Sequence, residues 1–144
     1  MEASVVVLGL GQLGRRYLEG LTKSRNCLNV WGIDQDPRAF RKTVEAVGHG
    51  TNNVSVRLAS SPRELPSRID VVISATTADA RVGALRNLTA MTEIRYLLLE
   101  KLLTQSADES RELLHLAACS RGAWVNYPRR VMQWHQALKD LVPA

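Results

Sequence analysis

A doubly wound parallel α/β sheet is the fold class this sequence predicts, on three observations. Short apolar runs suited to strands alternate with helical stretches from one end to the other, the pattern of a parallel sheet covered by helices. The first run, Ser4-Val5-Val6-Val7-Leu8, feeds directly into the glycine turn Gly9-Leu10-Gly11-Gln12-Leu13-Gly14. A second run, Asn29-Val30-Trp31-Gly32-Ile33, ends in Asp34, 20 residues beyond Gly14. At 144 residues and 45% hydrophobic content, the chain is one domain with enough apolar mass for a real core.

The first strand is expected over 4–8 and the first helix near 12–24. Between them Gly9 allows the sharp turn, Gly11 lets a pyrophosphate approach bare backbone, and Gly14 lets the helix sit close on its strand. The anion then rests on the free amides and positive dipole of the helix N-terminus, so Gln12 and Leu13 are counted with the three glycines as cofactor contacts. The second strand, 29–33, delivers Asp34 to the ribose hydroxyls of the adenosine half of NAD. That carboxylate makes NADP the less favoured cofactor.

A helix near 37–47 leads to a third strand over 54–58, and Ser60-Ser61-Pro62-Arg63-Glu64-Leu65-Pro66 reads as a short polar link. Strands four and five, 69–75 and 95–99, flank a helix over 79–90 and are nearly continuous apolar runs, as expected of strands buried on both faces. Ser106-Ala107-Asp108-Glu109 reads as a capping box: serine accepts from first-turn amides and glutamate reaches back. It opens a helix over 106–119, followed by a sixth strand over 123–127. Six strands make two mononucleotide-binding halves, a complete Rossmann sheet of order 3-2-1-4-5-6.

The net charge of +5 comes from arginines scattered along the chain, with no single basic run and few aromatics to stack bases, so no nucleic-acid partner is expected. No apolar stretch approaches the roughly 20 residues of a membrane helix, and no leader pattern opens the chain, which predicts a cytoplasmic protein with no membrane partner. Cys27 and Cys119 form no CxxC pair and read as reduced thiols. Metal-ligand spacing is absent, and His49, His115 and His135 read as structural. After the sixth strand only 17 residues remain, Pro128 to Ala144. Val131, Trp134, Leu138 and Leu141 would line one helical face there. The domain reading is therefore a dinucleotide-binding domain over 1–128 and, over 129–144, a helical segment that begins an absent substrate domain. Left uncovered, that apolar stripe predicts a homo-oligomer, a dimer being the simplest.

The chain resembles the N-terminal NAD-binding domain of the glucose–fructose oxidoreductase and inositol dehydrogenase family. Four motifs carry the likeness: the glycine turn, Gly32-Ile33-Asp34-Gln35-Asp36-Pro37, Val71-Val72-Ile73-Ser74-Ala75-Thr76-Thr77, and Leu98-Leu99-Glu100-Lys101. The last is the most distinctive. Within the family, Asn126-Tyr127-Pro128-Arg129-Arg130 together with Glu100-Lys101-Leu102-Leu103 is most similar to a subgroup associated with bacterial surface-polysaccharide and nucleotide-sugar biosynthesis.

The resemblance implies a catalytic role for Lys101, hydrogen-bonding the substrate hydroxyl and stabilising charge on oxygen during hydride transfer; the alternative is a surface lysine paired with Glu100. Glu100 itself, and Thr76 and Thr77 at the topological switch point, are counted as cofactor contacts, the threonines being equally readable as a strand end. Arg129 and Arg130 are candidates for an anionic substrate group, against a reading as solvated arginines. Two departures stand out. Leu102 follows Lys101 where the family usually has proline, and since a non-proline cis bond costs about 3–4 kcal/mol, a trans bond is expected. Asp79-Ala80-Arg81 stands where many members have a histidine.

Two functions of different class follow. One is the cofactor domain of an oxidoreductase acting on a sugar or nucleotide sugar; the other is a non-catalytic dinucleotide sensor or oligomerisation module.

Overall fold

A computed structural model describes residues 2–47, 50–51 and 53–141 of the chain. Its first strand, β1 (Ala3–Leu8), is apolar on both sides. Val5 and Val7 enter one core and Val6 and Leu8 the other, all four buried. A strand of that kind belongs in the middle of a sheet covered on both faces.

The chain then alternates as expected: α1 (Gln12–Thr22), β2 (Leu28–Ile33), α2 (Pro37–Val47), β3 (Gly50–Thr51) and β4 (Val54–Ala59). The second half is β5 (Arg68–Ser74), α3 (Ala78–Thr89), β6 (Glu93–Glu100), α4 (Ala107–Ala118), β7 (Gly122–Asn126) and α5 (Gln133–Leu141). Among the described residues the sheet has seven strands in the order β3-β4-β2-β1-β5-β6-β7. Counting the parallel strands alone gives the predicted six in the order 3-2-1-4-5-6. The addition is β3, two residues antiparallel to β4 on the outer edge. It lies between two elements with strong periodicity and is too short to have any of its own.

Helices cover the two faces separately. Leu18, Tyr17 and Leu21 of α1, with Ala39, Phe40 and Val47 of α2, pack on the Val5–Val7 side. Val82, Leu85 and Leu88 of α3, with Leu113 and Leu116 of α4, pack on the Val6–Leu8 side. The chain starts outward from β1 in one direction, returns through β5 and continues in the other. Turns following β1 and β5 are therefore neighbours that lead away from each other, the place where ligands enter sheets of this kind.

Two caps differ from expectation. Ser106 accepts the Glu109 amide at 3.2 Å as predicted, but the Glu109 carboxylate reaches the Gln105 amide at 2.9 Å instead of its own cap residue. The reciprocal capping box is found in the polar link, where Pro62–Glu64 forms a 3-10 turn. There Glu64 accepts the Ser60 and Ser61 amides, both at 2.9 Å, and Ser61 accepts from Arg63.

At the end of the chain a 3-10 turn over Pro128–Val131 leads into α5. Trp134 is half exposed and Leu141 largely so. The side chains of Arg130, Val131 and Leu138, all of His49, and residues 142–144 lie outside the described residues. Both cysteines are free and exposed. No described helix is long and apolar enough to cross a membrane.

Candidate functional site

Parallel strands end on the same edge of a sheet, so the residues following β1, β2, β5 and β6 share one rim. Gly9 follows β1 with φ of 92°, a conformation that disfavours any side chain, and a Cβ there would stand 3.0 Å from the Thr76 amide nitrogen. Gly14 is tighter still: its missing Cβ would lie 1.8 Å from the Gly9 carbonyl oxygen, so α1 is drawn directly onto the turn. Gly11 differs from both. A Cβ on it would meet nothing within 4 Å, leaving bare backbone facing open space.

Gly11 is also the residue that precedes α1, and it supplies no side chain to cap it. The first-turn amides, those of Gln12 and Leu13 included, have no intrahelical acceptor and remain for another one. The first turn holds no acidic residue. Its partial positive charge is thus uncompensated, which is the electrostatics a phosphate needs.

Asp34 leaves the end of β2 and turns toward this rim. Its Oδ2 accepts the Leu10 amide at 2.7 Å and its Oδ1 the Asp36 amide at 2.9 Å. Each carboxylate oxygen keeps a second lone pair for a hydroxyl donor. Gly9, Asp34, Ser60, Pro62, Thr76 and Asn87 line a cleft of about 370 Å³. Thr76 lines it beside Gly9, with its hydroxyl 3.3 Å from that of Ser74. Thr77 is exposed at the start of α3.

The rim after β6 carries Glu100 and Lys101, and they part company. Glu100 is 5% exposed, and its Oε1 accepts from the Tyr17 hydroxyl and, at 2.6 Å, from Asn126. Burial, reinforced by that carboxylate, lifts the Tyr17 phenol from 10.0 to about 12. Lys101 is exposed, and among the described residues no ion pair joins it to Glu100.

The peptide between Lys101 and Leu102 is cis, against the trans bond expected. The expectation weighed only the intrinsic preference of the bond and left out its surroundings. Arg81, on the first turn of α3, is 1% exposed and donates through Nη1 to the Leu102 and Leu103 carbonyls and through Nη2 to that of Thr76 at 2.6 Å. Burial pulls the Arg81 guanidinium below the ordinary arginine value, an effect the Glu100 charge opposes.

Sequence reasoning thus missed Arg81, Tyr17 and Asn126 as members of this rim. Arg81 had a signal: it lies four residues before Leu85 and seven before Leu88, on the apolar stripe of its helix, where a charge needs a reason. Arg129 is exposed in the turn after β7, apart from these contacts. Among the described residues, no group of three or more His, Cys, Asp or Glu side chains could hold a metal ion.

Residues 3–127 match the family described as an oxidoreductase family with an NAD-binding Rossmann fold. No curated protein matches the chain. Among solved structures, the chain is similar to myo-inositol dehydrogenase from Lactobacillus casei, in complex with NAD(H) and myo-inositol: TM-score 0.74, 21% identity, 98% of this chain and 41% of that one. It is similar also to UDP-N-acetylglucosamine 3-dehydrogenase from Acidithiobacillus ferrooxidans, with TM-score 0.70, 19% identity, and coverage of 98% and 43%. A protein from gentamicin A biosynthesis in complex with NAD aligns with TM-score 0.59, 24% identity, and coverage of 82% and 31%. The chain therefore spans less than half the length of these structures, and at such identities the likeness is one of fold.

Proposed function

The chain belongs to the oxidoreductase family with an NAD-binding Rossmann fold, and from that premise we propose that it is the NAD(H)-binding domain of an enzyme that oxidises or reduces a sugar or nucleotide sugar, in a pathway of surface-polysaccharide assembly. The observation that carries this reading is the Asp34 carboxylate held beside the bare backbone of Gly9 to Gly14, which supports NAD over NADP. When bound, the nicotinamide supplies the hydride chemistry. Gly11, Gln12 and Leu13 hold the pyrophosphate, Asp34 the adenosine ribose, and Thr76 with Thr77 the opposite half.

In this reading Lys101 is the catalytic cation at the end of β6, beside the nicotinamide crevice, where it contacts the nicotinamide half of the dinucleotide and stabilises a substrate oxygen gaining negative charge. Glu100 contributes to the cofactor side through the backbone it anchors. Arg129 and Arg130 take an anionic group of the substrate. Residues 1–128 form the cofactor unit, and 129–144 begin the part that holds substrate, with the exposed Trp134 and Leu141 pairing protomers of a cytoplasmic homo-oligomer.

Titration with NADH, followed by nicotinamide fluorescence, tests the reading. Saturable binding lost in Gly11→Val is the expected result, and an absence of binding by the unaltered chain rejects it.

A further inference from the structure

Lys101 stands in an unusual position: exposed itself, it has a buried, charged anchor on each side. Before it in sequence, Glu100 is fixed by the Tyr17 hydroxyl on α1 and the Asn126 amide on β7. After it, the Leu102 and Leu103 carbonyls are fixed by Arg81 on α3. Arg81 and Glu100 are the two charged side chains among the described buried residues, one of each sign. A guanidinium is costly to bury, and here its three hydrogen bonds go to main-chain carbonyls, with Nε left without a partner.

The third bond shows what the arrangement joins. Arg81 Nη2 donates to the carbonyl of Thr76, the residue whose backbone packs directly against Gly9 at the cleft. One planar donor set therefore ties the turn after β5 to the segment after β6, the two turns that belong to the second mononucleotide half of the sheet. A lysine at position 81 could not copy this, since an ammonium is a point charge without a fork.

We propose that Arg81 is a positioning residue for Lys101: by fastening Leu102 and Leu103 to Thr76, it sets where the Lys101 ammonium stands relative to the nicotinamide half of a bound dinucleotide. This rests on the cofactor reading given above. It separates the two ends of the ligand. Asp34 and the glycine turn hold the adenosine diphosphate end without help from Arg81, so only the nicotinamide end should feel its loss.

The experiment compares NADH and adenosine diphosphate as ligands for the unaltered chain, Arg81→Met, Arg81→Lys, Lys101→Ala and the Arg81→Met/Lys101→Ala double variant. Arg81→Met is expected to weaken NADH by about tenfold or more, while adenosine diphosphate affinity stays within about twofold. Arg81→Lys gives the same split and carries the test if the methionine variant does not fold. Once Lys101 is alanine, the Arg81 substitution should cost little further NADH affinity, because coupled residues are not additive. Equal losses for both ligands, no loss for either, additive losses in the double variant, or a Lys101→Ala variant with unaltered NADH affinity would each overturn the inference while leaving the cofactor reading intact. Failure of the unaltered chain to bind either ligand would instead remove the cofactor reading, and this inference with it.

Discussion

The Asp34 carboxylate and the Leu10 amide are joined at 2.7 Å, so the end of the second strand is tied to the backbone of the glycine turn. The bond makes Asp34 both a brace for the turn and the charge that a cofactor meets. Asp34→Ala removes a charged acceptor from two amides, and a loss of about 2 kcal/mol in folding stability is expected by denaturant titration. In the unaltered chain, NADP should bind more weakly than NAD, since two unit charges about 4 Å apart repel by about 4 kcal/mol at an effective dielectric of 20. Calorimetry with both cofactors decides it, and NADP binding as tight as NAD would contradict the assignment of Asp34.

The glycines of one turn should behave oppositely. Gly14→Ala forces a methyl group to within 1.8 Å of a carbonyl oxygen, so the helix must move or the fold fails. At Gly11 a Cβ meets no protein atom within 4 Å, so Gly11→Val should leave the circular dichroism spectrum and melting temperature intact while NAD binding is lost. A Gly11 variant that retains affinity would show the turn to be structural only.

Tyr17 gives the chain an alkaline edge. Its phenol is held at about 12 in the folded state against 10.0 for the free group. Because the folded value is the higher one, the stabilisation is complete below pH 10 and declines as pH rises toward 12, where the unfolded chain releases the proton first. Tyr17→Phe should flatten that decline and, by leaving Glu100 and Asn126 short of a partner, cost about 1–3 kcal/mol near neutrality. Urea melts at a series of pH values measure both effects, and an unaltered alkaline slope in the variant would assign the decline elsewhere.

The regularity of the sheet was legible because strand and helix periods differ and both cores are apolar. All six parallel strands, their order and the Asp34 position follow from that contrast. What escaped was held by contacts between residues far apart in sequence. Tyr17 and Asn126 converge on Glu100 across 83 and 26 positions, and Arg81 reaches Leu102 across 21. The place of Arg81 on an apolar stripe marks it as buried, but no local pattern names the partner that any of the three meets. The cis peptide after Lys101 is likewise not legible, since the intrinsic preference of a non-proline bond is for trans.

Turnover is expected to need more than this chain. Correct placement of substrate beside a reacting centre is worth roughly 7–11 kcal/mol of a barrier, and one exposed lysine does not provide it. The 144-residue chain should therefore bind NAD yet reduce none of it across a panel of sugars and nucleotide sugars. Turnover that disappears in Lys101→Ala would show that a complete site assembles without further sequence.

The apolar side chains of the last helix should bring copies together. Sedimentation of the intact chain against one ending at Pro128 is expected to show association only in the former, driven by Trp134 and Leu141. A monomer in both at tens of micromolar would reject it.

β1 gives Val5 and Val7 to one core and Val6 and Leu8 to the other, and each core draws strands from both ends of the chain. Neither half can lose its apolar contacts without exposing those of its counterpart. The two nucleotide-binding halves therefore share their central strand: the sheet is expected to unfold as a single cooperative unit, with damage to β1 felt on both faces at once.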